Sequence, residues 1–305
     1  RQNAEYMNSL VQEIRAVPGS GLDSIGEFKN PSLLGKGTDW QDEIYRRGFT
    51  QSHQLAFSGG TERTQFYFSS GYLDQEGTLI KTGFNRVTLR ANIDHQATKW
   101  LKTGITANLS RTKQQIGLSD GFDAVTSTVL YNSPATPVKD IYGNFISTNV
   151  IGGSTFGNPN NPVALANLRD VTNKTSRAFG SLYADLNIID GLVIRSEGNF
   201  DFSLSADKAF QPYVYNEVTK SVIISPARLR DQRQNTLYWA LKNYANYNKT
   251  FGKHSLGATL GHEAQRSTYD MISGRRDNLK LNIPNLNAGD GGDTQDIQAN
   301  ASTWS

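Results

Sequence analysis

The side chains best able to do bond chemistry are few and scattered in this sequence. Four histidines, His53, His95, His254 and His262, stand apart, and His262-Glu263 lacks the second histidine of a zinc-binding helix motif. There is no cysteine, which removes disulfides, thiolate nucleophiles and thiolate metal sites. Gly35-Lys36-Gly37-Thr38 has the flavour of a phosphate loop but neither its glycine spacing nor its Gly-Lys-Ser/Thr order, and no Gly-x-Ser-x-Gly elbow occurs. Asp290, Asp293 and Asp296 lie in a glycine-rich stretch where a loop Ca²⁺ is conceivable. Their spacing fits no EF-hand loop, so a solvated loop and no cofactor are expected. Arg195, Glu197 and Asp201 share one face of an extended segment, where charges pair across strands rather than form an acid–base set. These residues point away from an enzyme.

The charged trio belongs to a pattern that runs through the chain, clearest between Phe84 and Arg111. There Val87, Leu89, Ala91 and Ile93 alternate with Arg86, Thr88, Arg90, Asn92 and Asp94. After a short polar turn, Leu101, Ile105, Ala107 and Leu109 alternate with Lys102, Thr106, Asn108 and Ser110. Successive side chains of a strand point to opposite faces, so each run has one apolar and one wet face. Ten or more such residues span about 30 Å, the thickness of a bilayer core.

Composition bounds the alternatives. The chain has 305 residues and a formal net charge of +3, too small to argue for a nucleic-acid partner. Mean hydropathy is −0.51, and no apolar run approaches a spanning helix. A membrane barrel is compatible with those values, because only alternate residues face lipid.

Four hairpins are expected: 51–58 with 64–73, 84–94 with 100–111, 175–188 with 192–203, and 236–248 with 254–265. In the third, Ala178, Gly180, Leu182, Ala184, Leu186 and Ile188 oppose Arg177, Ser181, Asp185 and Asn187. In 64–73 the apolar face is ambiguous, since Phe66, Phe68 and Tyr72 compete with Tyr67 and Leu73. Turns within hairpins are short, whereas the links at 74–83, 112–174, 204–235 and 266–305 are long. A soluble sandwich has no reason to segregate them so; an outer-membrane barrel does. The strands are also longer than usual, and their apolar faces carry Ala and Gly where a sandwich core needs bulk. Trp100, Phe202, Trp239, Tyr247 and Phe251 suit aromatic girdles. Upstream, a helix is expected over Glu5–Val17, ended by Pro18-Gly19. The sequence opens at Arg1 without a leader and closes in an Asp/Asn/Gly-rich stretch rather than on an element, so it reads as part of something longer.

Several strings in order resemble one family. They are Thr38-Asp39-Trp40-Gln41-Asp42-Glu43-Ile44, His53-Gln54-Leu55-Ala56-Phe57-Ser58-Gly59-Gly60 and Gly71-Tyr72-Leu73-Asp74-Gln75-Glu76-Gly77, then Asn158-Pro159-Asn160-Asn161-Pro162-Val163-Ala164 and Tyr247-Asn248-Lys249-Thr250-Phe251-Gly252-Lys253-His254. The series resembles the barrel of SusC/RagA-type TonB-dependent outer-membrane transporters. The resemblance implies a fold class of all-β, a partial transmembrane antiparallel β-barrel supplying roughly eight strands of a larger plugged barrel, with long extracellular loops. Residues 1–50 would be an extracellular loop region leading into the barrel, and 51–305 the barrel segment. It further implies location in the outer membrane of a Gram-negative bacterium, import of oligosaccharides or oligopeptides, a SusD-like surface lipoprotein, and the TonB energy transducer reached through a plug and TonB box. On that reading Arg86, Arg90, Lys102, Arg195, Glu197 and Asp201 line the lumen, and Phe122, Tyr131, Phe145, Tyr213 and Tyr215 contact cargo or the lid. The competing expectation is a soluble extracellular glycan-binding or adhesive β-sheet protein.

Overall fold

The computed structural model describes residues 2–17, 28–33, 35–117, 124–147, 160–279, 282–288 and 295–304. Its frame is one antiparallel sheet of nine strands: β1 (Thr50–Gly60), β2 (Thr64–Glu76), β3 (Gly83–Gln96), β4 (Leu101–Gln115), β5 (Asp170–Ile189), β6 (Leu192–Gln211), β9 (Arg228–Phe251), β10 (His254–Asp277) and β11 (Gln295–Trp304). A small separate hairpin, β7 (Val214–Asn216) with β8 (Ser221–Ile224), is inserted between β6 and β9. Every neighbour in the large sheet is next along the chain once that insertion is passed over, and β1 and β11 form its edges.

All four expected hairpins form, with longer arms. β9 and β10 are each 24 residues long, about 80 Å of strand, against the 12 or so read from alternation. The pattern is lost beyond the apolar stretch because both faces of β9 turn polar there and β10 carries apolar residues on both faces. A ninth strand stands where a loop was expected over 266–305. β11 joins β10 through the ladder Arg276↔Gln295 to Ser267↔Trp304, an edge pairing made by backbone groups. Helix α1 (Gln2–Arg15) sits slightly upstream of the expected span and packs Ala4 and Val11 with Phe28.

The turns are segregated as expected. Residues 61–63, 97–100, 190–191 and 252–253 join hairpin arms at one end of the sheet, and the long connections gather at the other. Asp190-Gly191 closes β5 onto β6 in two residues, and Gly191 holds φ +86°, where a side chain would be strained and would strike the Asn248 carbonyl. A bulge between Asn187 and Ile189 then shifts the register, so that Asp185 rather than Leu186 lies opposite Arg195.

The buried core lies at the long-loop end, not on either sheet face. Helices α2 (Trp40–Ile44), α3 (Val125–Tyr131) and α4 (Pro162–Leu168) pack with β8, burying Trp40, Ile44, Val125, Val129, Val163, Ala164, Leu165, Ile223 and Ile224. Asp39 caps α2 by accepting from the Gln41 and Asp42 amides, and the Trp40 indole donates to the Ser133 carbonyl at 3.0 Å. Thr38 Oγ1 donates to the Thr136 carbonyl at 2.7 Å, fixing the approach to the helix. Two strings that carry the resemblance, around Trp40 and around Asn161, thus become the pins of this loop-end cluster.

Candidate functional site: a two-faced wall with a folded rim

The ladders settle which side chains share a face. One row of direct neighbours runs Leu55, Ser70, Leu89, Leu109, Ala178, Phe202, Leu237. The next runs Phe57, Phe68, Ala91, Ala107, Gly180, Phe200, Trp239, and the one below it Gly59, Phe66, Ile93, Ile105, Leu182, Gly198, Leu241, Ala264. Leu101, Leu186, Ile194, Ala245 and Leu260 continue the pattern towards the short turns. Phe66, Phe68 and Tyr72 therefore belong to the apolar face, and Tyr67 and Leu73 to the other. These apolar side chains are uncovered: Leu182 is 62% exposed, Leu260 78% and Leu55 64%. On β9 the belt extends from Leu237 to Tyr247, matching the 9–11 residues a strand needs to cross a bilayer. Trp100 and Phe251 lie at the short-turn end with Tyr247 close by, whereas Phe202 and Trp239 fall in mid-strand because β6 and β9 run on past the belt.

All six nominated polar-face residues, Arg86, Arg90, Lys102, Arg195, Glu197 and Asp201, do share the face opposite the belt, as register alone requires. They are not one cluster. Arg195 forms a two-point ion pair with Asp185, one contact being Nη2 to Oδ2 at 2.6 Å, and approaches Glu197 at 4.0 Å. Its guanidinium lies 4.3 Å from the Tyr183 ring centre, and Lys102 Nζ approaches the same ring at 5.9 Å. Asp201 is held instead by Arg177, Nε to Oδ1 at 2.8 Å. Lys242 and Glu263 add a cross-strand pair at 3.6 Å. Arg86 and Arg90 make no salt bridge among the described residues.

Asp94 and Asp185, which alternation places on the wet face, matter here together with Tyr183, which the sequence did not mark. Tyr183 on β5 reaches across Gly104 on β4 to hydrogen-bond Asp94 on β3, so one side chain ties three strands. Any side chain at 104 would overlap the Tyr183 ring and crowd Asp94. Gly104→Val is expected to displace Tyr183 and cost about 1–3 kcal/mol by overpacking. The thermal unfolding of the membrane-inserted protein checks this, and an unchanged midpoint would show that the tie is idle.

At the rim, Tyr131, Tyr213 and Tyr215 are 42%, 43% and 38% exposed. Phe145 instead packs against the loop-end cluster, with Lys139 Nζ 5.1 Å from its ring centre. Phe122 lies outside the described residues, as do Asp290 and Asp293. Asn216 ties β7 to this rim, donating to the Phe145 carbonyl at 2.8 Å and to Asp140 at 3.2 Å. Burial pushes the Asp140 carboxyl up, but hydrogen bonds from Asn144, Asn216 and the Tyr142 amide prevail and hold it below the usual carboxylate range. Among the described residues no set of three or more potential ligands is placed to hold a metal, and no helix is long and apolar enough to cross a membrane.

Long hairpins with an uncovered apolar belt, an opposed polar face, short turns at one end and folded loops at the other define part of a transmembrane β-barrel. No family model matches the chain. It is 30% identical over 240 residues to TonB-dependent receptor P3 of Formosa agariphila, covering 75% of this chain and 23% of that protein. It is 24% identical over 274 residues to TonB-dependent receptor SusC of Bacteroides thetaiotaomicron, covering 78% of the chain and 25% of SusC. The chain thus spans about a quarter of the length of these curated relatives. The structure of the RagAB peptide importer in its open-open state superposes with a TM-score of 0.73 at 19% identity, covering 96% of this chain and 34% of that one. The chain is a barrel segment of the SusC/RagA family of TonB-dependent receptors.

Proposed function

We propose that this chain forms wall and rim of an outer-membrane transporter that imports oligomeric nutrients, oligosaccharides foremost, into a Gram-negative cell. The observation that carries the reading is the apolar belt, uncovered and as tall as a bilayer core, backed by a face of charges. On it the belt meets lipid, while Arg86, Arg90, Lys102, Arg195, Glu197 and Asp201 line a lumen or support a plug. Residues 1–50 and the loop-end cluster face outward beneath a SusD-like lipoprotein, and TonB supplies the energy. No bond is made or broken in this scheme. Exposed Tyr131, Tyr213 and Tyr215 offer flat apolar surfaces on which sugar rings can stack.

Uptake of labelled oligosaccharides and oligopeptides of graded length by cells with and without the gene tests this reading. Oligosaccharide uptake should be lost with the gene and with the inner-membrane energy transducer. Loss of oligopeptide uptake alone would move the cargo to peptides, and unchanged uptake of both would overturn the transport reading.

A further inference from the structure

On the apolar face, the rows between the belt and the long loops change character abruptly. One row beyond Leu89–Leu109–Ala178 stands Arg111, between Val87 and Ser176. The following row places Lys113 directly opposite Lys174, flanked by Asn85 on β3 and Ala206 on β6. These cations lie about 7 and 13 Å past the Leu89–Leu109–Ala178 row at two residues per step, Arg111 in a row that still carries Tyr72, Val87 and Leu204 and Lys113 and Lys174 in the row beyond it. Directly opposed like charges destabilise a sheet unless something of opposite sign lies between them. None of Arg111, Lys113 and Lys174 makes a salt bridge among the described residues. Asp170, which shares the recess with Lys113 and feels its charge, and Asp74 on the same face are both engaged by neutral donors. Asp170 accepts from Gln115 at 2.7 Å and Thr172 at 2.8 Å, and Asp74 accepts from Asn85 at 3.0 Å and Gln51 at 3.3 Å.

Beside these lysines lies a cavity of about 380 Å³, lined by Lys81, Asn85, Lys113, Gln115, Arg169 and Asp170 among others. Lys81 borders it from the β2–β3 connection, with φ +60°. The volume suits a phosphorylated sugar. Asn85 and Lys113 of its lining stand on the same sheet face as the belt, two rows beyond Leu89 and Leu109, so a molecule with an anionic head in the recess could lay its acyl tails along that face onto the belt.

We propose that this cationic recess binds the phosphate of an outer-leaflet glycolipid headgroup, whose acyl chains lie along the belt. The proposal rests on the outer-membrane reading, because it needs the long-loop end to meet the outer leaflet. Lys113 in the recess and its cross-strand partner Lys174 at the edge grip the phosphate, and Asn85 and Gln115 offer amide donors to the sugar. Basic recesses at membrane surfaces hold anionic headgroups by this combination of charge and depth.

The test uses the full-length protein purified from membranes in detergent, with bound lipid read by native mass spectrometry. The probes are bis-phosphorylated lipid A, its dephosphorylated form and inorganic phosphate. One phosphorylated glycolipid should bind to the wild type, about tenfold more weakly to Lys113→Gln/Lys174→Gln, and normally to Lys113→Arg/Lys174→Arg. The dephosphorylated form should bind poorly to the wild type, a comparison that needs no variant to fold. Equal retention of both lipids, equal binding by the Gln variant, or inorganic phosphate binding as tightly as the lipid would each overturn the proposal. Absence of the protein from the outer-membrane fraction would overturn the underlying reading instead.

Discussion

Asn161→Ala should loosen the loop-end cluster by about 3 kcal/mol while leaving the long hairpins folded. Asn161 is 1% exposed and every hydrogen-bonding position of its side chain is used. Its oxygen accepts from the Val163 and Ala164 amides at 3.1 and 3.0 Å, capping α4, with Pro162 at the first helical position. Its amide donates to the carbonyls of Val138 and Ile146 at 2.9 and 3.0 Å, tying that helix to the neighbouring turn. Alanine forfeits the cap and strands buried partners. Aspartate keeps the cap but loses both donors and brings a charge against two carbonyls, so it separates the two roles. Hydrogen exchange should show faster opening over 138–146 in both variants and over 161–168 chiefly in the alanine variant, with β5 and β6 unchanged. Unaltered protection in the alanine variant would mean that the cluster stands without this residue.

Leu182→Arg should destabilise the membrane-inserted protein by about 2–4 kcal/mol, while Ser181→Gln one position away should fold normally. Leu182 lies in the middle of the belt, between Ile105 on β4 and Gly198 on β6, whereas Ser181 faces the opposite side beside Thr106 and Asn199. An arginine on the belt must leave its charge in hydrocarbon or drag headgroups and water inward. Reversible unfolding from lipid vesicles measures both. Equal tolerance at the two positions would mean that lipid does not cover this face.

The wall was legible from the sequence because its information is periodic. Val87–Ile93 and Leu101–Leu109 state their faces in their own spacing, and strand parity carries that statement across the sheet. The third hairpin shows how far this reaches. Alternation placed Arg195 on the same face as Asp185, and the structure satisfies it with a bulge beside a two-residue turn. What escaped was information that is not periodic. The outer part of β9 is wet on both faces, that of β10 puts Tyr269 and Met271 on one face and Ile272 on the other, and β11 is joined through its backbone, so none announces itself by alternation. The rim escaped for another reason. Trp40, Val129, Leu165 and Ile224 come from four distant segments, and a core assembled from such pieces leaves no local signature. Likewise the tie from Tyr183 to Asp94 depends on the empty space above Gly104, which only the ladder brings between them.

The uninterrupted pairing of β6 with β9 has a consequence for how such proteins change. From Leu192↔Tyr247 to Gln211↔Arg228 the ladder runs without a shift, although residues 212–227 depart at its end to build a hairpin of their own. Nine of the 24 residues of β9, Arg228 to Thr236, stand between the belt and that departure point. This stalk acts as a buffer: a graft, deletion or exchange beyond Gln211 reaches the lipid-facing rows only after many intact pairs have absorbed it. New loops can therefore be tried at the tip while the rows of the wall keep their register.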